Sequence, residues 1–597
     1  MNEYKAPLEE ITFVLETMAD MKNWDHTPGF EDAGEDLVTA VLEEAGKLAR
    51  DIIAPTNRIG DLEPPVLKDG VVTTPDAFKP MNAAFVEGGW PTLAADPEFG
   101  GQGLPSVLAT AVTEMVTSSN MAYSLQPLLT SGAIEAINAH GTDEQRRTYL
   151  PNMISGIWSG AMNLTEPGAG SDVGALRAKA EKQADGSYKI TGQKIFITWG
   201  EHDLCDNIIH LVLARLPDAP EGTKGISMFV VPKFHVNEDG SLGARNDLRC
   251  VSLEHKLGIH ASPTCVMSFG DEGNCVGYIV GEENKGMRNM FTMMNHARIG
   301  VGLEGVAIAE RAYQQAVYYA KDRVQSAAIG AKSRASVAII EHPDVRRMLL
   351  SMRATCEAAR AIIYRNVWAL DRAHKTSDME VKKAALGEAD LLTPISKAYS
   401  TDIGVEAASL GVQIHGGMGF IEETGAAQHY RDSRIAPIYE GTNGIQALDL
   451  VGRKLNSEGG VHWKALIAEM REFTAGMDRS MAGSKPVLEE GINALSDAAE
   501  TLFANGFDRI VDTAGAATPY LRLFGTVLGG YLLARQAVEA ERRLAADDGN
   551  PAFLKSKVTV AKFFIEQLLP QATSLLGPIK AGAAELMSMD ADDFIRT

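Results

Sequence analysis

Tyr430-Arg431-Asp432-Ser433-Arg434-Ile435-Ala436-Pro437-Ile438-Tyr439-Glu440-Gly441-Thr442-Asn443-Gly444-Ile445-Gln446 is the stretch from which the rest of the chain can be read. One carboxylate, Glu440, stands between an apolar entry (residues 435–439, broken by Pro437) and a Gly-Thr-Asn-Gly turn. Gly441 and Gly444 carry no Cβ, so the backbone there can pass close to a ligand. Apolar neighbours desolvate a carboxylate and push its pKa from about 4.3 toward neutrality. That is the range in which a general base takes a proton and later returns it. Taken alone, the same residues also suit a surface glutamate opening a helix at Ile445. Upstream, Gln413-Ile414-His415-Gly416-Gly417-Met418-Gly419-Phe420 closes a helical pattern in a glycine pair. Main-chain groups at such a helix end are open to a ligand.

Length and composition narrow the classes. A chain of 597 residues is too long for one core and predicts several packed domains. Apolar content of 45% and a mean hydropathy near zero describe a globular protein. The apolar run 523–534 is bounded by Arg522 and Arg535 and falls short of the about 20 residues a bilayer span needs. Residues 1–20 are acidic, with Lys5 their one basic side chain. They match neither a secretory signal nor an Arg-rich presequence, so the expected location is cytoplasmic. A net charge of −22 argues against nucleic acid or an anionic membrane as partner. Cys205, Cys250, Cys265, Cys275 and Cys356 form no Cys-x-x-Cys pair; they read as buried thiols, and no metal set is expected.

Along the chain, apolar residues at Ile11, Val14, Leu15 and Met18 recur with a helical period. A helix is expected from about 35 to 53, stopped by Ala54-Pro55-Thr56-Asn57. Helical periodicity resumes over 106–141, and Thr142 before acidic residues predicts a capped helix start. From about 161, segments 187–191, 194–198, 208–214, 226–231 and 264–269 read as short strands between Gly, Pro and Asp turns. Helix returns at Gly286. Thr393-Pro394 reads as a cap followed by Pro at a first helical position, with a stripe of Ile395, Tyr399, Ile403, Ala407, Leu410 and Ile414. The fold class is thus mainly α with a central β domain. The expected segments are 1–160 helical, 161–285 β, 286–455 a helical bundle carrying Glu440, and 460–597 an additional helical bundle.

Gln-Ile-x-Gly-Gly-x-Gly at 413–419, followed by Ile-Tyr-Glu-Gly-Thr at 438–442, resembles the C-terminal helical domain of the acyl-CoA dehydrogenases. The resemblance covers about residues 35–455 and implies a helical N-terminal domain, a β-barrel middle domain and a four-helix-bundle domain. It implies FAD as cofactor, with Glu440 removing the α-proton of an acyl-CoA thioester while a β-hydride passes to the flavin, giving a trans-2-enoyl-CoA. The Glu440 amide and the flavin's ribityl chain would then hold the thioester carbonyl.

Met162-Asn163-Leu164-Thr165-Glu166-Pro167-Gly168-Ala169-Gly170-Ser171-Asp172 resembles the family's first signature. By that likeness Leu164 and Thr165 meet the flavin ring, and Ser171 stands near the FAD pyrophosphate or the CoA. Gly192-Gln193-Lys194-Ile195-Phe196-Ile197-Thr198 resembles the next, with Phe196 stacking on the ring where many members have Trp, and Thr198 at its reactive edge. Asn295 and Arg298 align with the substrate helix; Ala297 occupies the position where some relatives carry their base. Arg323, Gln413, Gly416 and Gly417 would reach a partner subunit's FAD, with Thr442 and Gly444 also at the cofactor and Gly441 at the substrate. The passage 325–342 is lengthened and lacks the usual aromatic after Arg323; His415 reads as structural. The layout is similar to long bacterial members acting on 3-methylmercaptopropionyl-CoA. Electron-transfer flavoprotein as acceptor and a homodimer follow from the resemblance. An acyl-CoA oxidase, or a non-catalytic assembly scaffold on the same fold, are the competing readings.

Overall fold

The computed structural model describes residues 4–477, 481–506 and 508–596. The chain forms two compact units, one built chiefly from Asp32–Gly300, the other from Pro7–Glu31 with Val301–Thr597.

In the first unit the helix Glu35–Leu48 does not stop at Pro55 as the sequence suggests. One wide turn, Ala49–Ile53, carries it into Ala54–Leu62. In that turn the Ala54 N–H bonds the Ala49 carbonyl, and Pro55, lacking an N–H, sits where the next segment's first turn needs none. The 106–141 pattern is two helices, Ser106–Ser119 and Met121–His140. They part at Asn120, whose extended backbone breaks the ladder and whose side chain accepts the Tyr123 N–H at 3.1 Å. Thr142 and Gln145 cap the helix Asp143–Ile154 reciprocally, at 3.1 and 3.0 Å.

Among the described residues there are twelve strands, numbered in chain order. A hairpin pairs β1 (Val66–Lys68) with β2 (Val71–Thr73). Then come β3 (Trp158–Asn163), β4 (Lys179–Lys182), β5 (Tyr188–Thr198), β6 (Asn207–Arg215), β7 (Ile226–Pro232), β8 (Phe234–Val236), β9 (Leu242–Arg245), β10 (Leu248–Leu253), β11 (Thr264–Phe269) and β12 (Val276–Ile279). The pairings β6–β7, β7–β12, β12–β5, β5–β4 and β4–β6 return to their start, so five strands close a small barrel. β3 adds parallel to β6, and β11 with β10 extends from β5. Because successive side chains alternate faces, Ile209, Leu211, Leu213, Met228 and Val230 pack against the helical residues Ala133, Ile137 and Met153. Ile208, Val212, Ala214, Phe229 and Val231 fill the opposite core with Tyr188 and Ile190. Strands buried on both faces read as continuous apolar runs, which is the texture of 207–215.

The second unit is helical. The helix Met379–His415 crosses residues 301–322 of the helix Gly286–Asp322 at glycines; a Cβ on Gly305 would stand 2.1 Å from the Ser400 carbonyl oxygen. No helix begins at Thr393. The start is capped by Asp378, which accepts the Glu380 and Val381 N–H groups, and Pro394 lies in the interior, where the Thr393 hydroxyl bonds the Ala389 carbonyl at 2.8 Å. The apolar stripe did locate the buried face: Ile395, Tyr399, Ile403 and Ala407 are all buried. The long C-terminal helix Ile510–Ala545 seats Gly525 on the Tyr399 ring and Gly529 on Ala358 of the helix Pro343–Lys375. The first helix, Leu8–Met18, joins this same unit through charge. Lys557 Nζ bonds both Glu10 oxygens, at 2.8 and 3.0 Å, and Glu357 at 2.6 Å. Among the described residues no helix is long and apolar enough to cross a membrane.

Candidate active site

The helical unit presents Glu440 on a loop held from its own side. Glu440 and Gly441 take successive left-handed conformations, φ 56° and 81°, a posture uncommon for a residue with a Cβ. The loop is fixed through its carbonyl oxygens: Pro437 O accepts the Asn443 N–H at 3.0 Å, Glu440 O accepts Gln446 Nε2 at 3.0 Å, and Gly441 O accepts Lys397 Nζ at 2.9 Å. Lys397, fully buried on the helix Met379–His415, also bonds Asn443 Oδ1 at 2.8 Å. Asn443 in turn donates to Asp402 at 2.7 Å, and Thr442 caps the helix Asn443–Asp449 through the Ile445 N–H. The Tyr439 hydroxyl donates to buried Glu304. Burial chiefly, with the Glu440 charge adding, pushes the Glu304 carboxyl up to about 8, against the Tyr439 bond and the Lys397 charge.

In the same unit the helix Met379–His415 ends where Gly416 turns to φ 59°. Gln413, Gly416 and Gly417 are exposed there, with open space where either glycine's Cβ would stand. His415 is buried, bonded to Gly411 O at 2.7 Å and stacked on Tyr319 at 4.4 Å, a packing arrangement. Arg323 is exposed at the root of the lengthened 325–342 passage. That passage folds back on itself: Val324 bridges Ala338, and Gln325 N–H bonds Val337 O at 3.0 Å.

The β-containing unit brings the other signatures together. The register of β5 against β11 shifts between Cys265 and Met267. In that bulge Phe196 adopts φ 58° and is 58% exposed, the extra residue re-aiming its ring outward. Ile195 N–H bonds Thr165 O at 2.9 Å, and Lys194 Nζ bonds Leu164 O at 3.0 Å and Glu166 at 2.7 Å. Lys194 is fully buried, and that burial lowers its ammonium to about 8 even with Glu166 beside it. Glu166 also accepts the Arg177 and Ala178 N–H groups. The loop of Leu164 and Thr165 is therefore laced to the strand of Phe196 and Thr198. Ser171 is exposed beyond the Pro167-Gly168 turn. Asn295 and Arg298 pair on the helix Gly286–Asp322 at 3.2 Å, Arg298 lying over the Phe291 ring.

Sequence reasoning missed Lys194, Glu166, Lys397 and Glu304. Lys194, Lys397 and Glu304 each show as a charged residue in an otherwise apolar or alternating run; Glu166, in a Pro-Gly loop, gave no such signal.

Taken unit by unit, the residues are of kinds that suit a flavin dinucleotide. An aromatic face turned outward by a bulge, hydroxyls at Thr165 and Thr198, and glycines without a Cβ at a helix end suit a ring and phosphates. The donor chemistry needs no metal, and among the described residues no cluster capable of holding one occurs.

Residues 68–157, 161–271 and 284–455 match the family models for the N-terminal, middle and C-terminal domains of acyl-CoA dehydrogenase, and 466–590 match the model described as acetyl-CoA dehydrogenase C-terminal like. The chain is 47% identical over 580 residues to 3-methylmercaptopropionyl-CoA dehydrogenase of Ruegeria pomeroyi, covering 96% of this chain and 97% of that one. In fold it resembles Caenorhabditis elegans ACDH-11 in complex with C11-CoA (TM-score 0.78, 19% identity, 95% and 93% of the two chains). It also resembles a Bacillus anthracis acyl-CoA dehydrogenase complexed with FAD (TM-score 0.71, 22% identity, 96% and 91%). The chain belongs to the acyl-CoA dehydrogenase family, whose members are FAD-dependent oxidoreductases.

Proposed function

We propose that this chain oxidises an acyl-CoA thioester to its trans-2-enoyl-CoA with Glu440 as the base. The observation that carries the reading is the loop 437–446, which turns three carbonyl oxygens inward onto Asn443, Gln446 and Lys397 and leaves the Glu440 side chain half-buried. With those carbonyl dipoles engaged, and a buried ammonium beside them, charge that develops next to the loop meets little repulsion from it. Glu440 takes the α-proton onto its carboxylate, and the electron pair left behind is delocalised toward the thioester oxygen. Bound FAD supplies the two-electron acceptor for the β-hydrogen. Leu164, Thr165, Phe196 and Thr198 would hold its ring. Ser171, Arg323, Gln413, Gly416, Gly417, Thr442 and Gly444 would hold its remaining polar parts, some from a partner subunit. Asn295, Arg298 and Gly441, with Ser171, are proposed on the substrate side.

The substrate we propose is 3-methylmercaptopropionyl-CoA, supported by the 47% identity spanning both chains. Electron-transfer flavoprotein is the proposed acceptor, a homodimer the proposed assembly and the cytoplasm the proposed location. The family-model bounds support functional segments at 1–160, 161–285, 286–455 and 460–597. Glu440→Gln, which keeps size and removes basicity, tests the base. The variant should retain FAD while substrate no longer bleaches it anaerobically, and rapid bleaching would sink the assignment. A panel of acyl-CoAs with an artificial electron acceptor ranks the substrate.

A further inference from the structure

Residues 299–309 are apolar apart from one charged side chain, Glu304, which is 1% exposed. Gly302 and Gly305 beside it press on the carbonyls of Ser396 and Ser400, where a Cβ would come within 2.4 and 2.1 Å, so this part of the helix has no room to slide. One Glu304 oxygen receives the hydroxyl of Tyr439, the residue next to the base; the other, Oε1, has no hydrogen-bond partner and no solvent. Keeping an ionisable group in such a place is costly. Tyr439 and Glu440 act on it from the loop and Lys397 from the helix Met379–His415. Asp402 lies farther along that helix, bonded to Asn443 and raised by burial.

We infer that Glu304 is a positioning residue for the reaction: it anchors the backbone of the base through the Tyr439 hydroxyl, and its own charge state sets the charge Glu440 can carry. The inference rests on the reading of Glu440 as base. Two carboxyls in one dry cluster do not both ionise cheaply, and they titrate as a pair. With Glu304 raised to about 8, it keeps its proton near neutral pH and adds no negative charge beside the base, the condition proton abstraction needs. Above that value both carry charge, and the environment of the base changes.

The test is the rate of anaerobic flavin bleaching by saturating 3-methylmercaptopropionyl-CoA, followed from pH 6 to 10 in FAD-loaded wild type, E304Q, E304A, Y439F and E440Q. Wild type should show an inflection near pH 8. E304Q, which stays neutral and still accepts from Tyr439, should lack it. E304A and Y439F, which lose the anchor, should bleach at least tenfold more slowly at pH 7 with FAD content unchanged. An inflection that persists in E304Q, or E304A bleaching at the wild-type rate, overturns the inference while an inert E440Q leaves the base reading intact. Bleaching by E440Q removes the base reading and this inference with it.

Discussion

Replacing Lys557 by Met tests how the helical unit keeps the first helix of the chain. The Lys557 ammonium is 1% exposed and makes three charge-assisted bonds, two to Glu10 and one to Glu357. Met keeps most of the stem's volume. Glu357 retains Arg353 at 2.6 Å, but Glu10 is left with the Arg360 guanidinium at 3.9 Å. Burial already raises the Glu10 carboxyl, so in the variant it takes up a proton. Holding a carboxyl of ordinary value about 4.3 protonated at pH 7 costs about 1.36 kcal/mol per unit, so the variant loses at most about 3.7 kcal/mol, less whatever part the already raised wild-type carboxyl bears. That ceiling lies within the ~3–5 kcal/mol typical when one partner of a buried pair is removed. Since the folded value then exceeds the unfolded one, the folded state binds the more protons. The loss is therefore greatest at neutral pH and above, and fades as pH falls toward the unfolded value. Urea unfolding should show the loss at pH 7, a smaller one near pH 5, and recovery of most of it in E10Q/K557M. A loss under about 1 kcal/mol at pH 7, or one that neither acid nor E10Q relieves, would refute this reasoning.

Lys194→Met should loosen the Leu164–Thr165 loop, leaving the Ile195 N–H to Thr165 O bond to hold it to β5, and weaken FAD retention at least tenfold, read as flavin absorbance surviving gel filtration; full retention would show the side-chain lacing to be dispensable. His202 and His210 are each pushed down to about 3, by burial first and the Lys233 charge second. The unfolded chain therefore binds protons below about pH 6.5 that the folded chain refuses. Stability should fall with acid by up to about 1.36 kcal/mol per pH unit for each His. Flat urea midpoints between pH 6.5 and 5 would contradict their burial as neutral rings. Gly525→Val puts a side chain where a Cβ alone would lie 2.5 Å from the Tyr399 ring, and should cost about 1–3 kcal/mol by overpacking; an unchanged urea midpoint would mean that the helices part there without cost.

Much of this was legible because it is local. Thr142 before acidic residues is a cap whatever surrounds it, and Gly416 ends a helix because φ 59° suits glycine. The motif around Glu440 could be found for the same reason, although its left-handed backbone could not, since glutamate has no preference for that region. Pro55 and Pro394 misled, because a proline that opens a continuing segment or sits inside a long helix reads in sequence like a stop or a start. A wide turn at Ala49–Ile53 and the Thr393 hydroxyl alter the local bonding there, and no propensity records either. Lys194, Glu304 and Lys397 were passed over because a charge inside an apolar run reveals its partner only after distant segments meet: Glu304 and Tyr439 lie 135 residues apart.

The bond between Lys557 and Glu10 spans 547 positions of sequence, and that separation has a consequence during synthesis. At about 5–20 residues per second, roughly half a minute to two minutes pass between emergence of the first helix and emergence of its counter-ion. Through that interval Glu10 has no Lys557 opposite it, and Phe13, which packs with Ala540 and Leu554 in the finished molecule, lacks part of its cover, because the helix Pro551–Phe563 has yet to leave the ribosome. Glu9, Glu10 and Glu16 on the same segment keep the nascent stretch acidic while it waits, which disfavours self-association between neighbouring chains on one message.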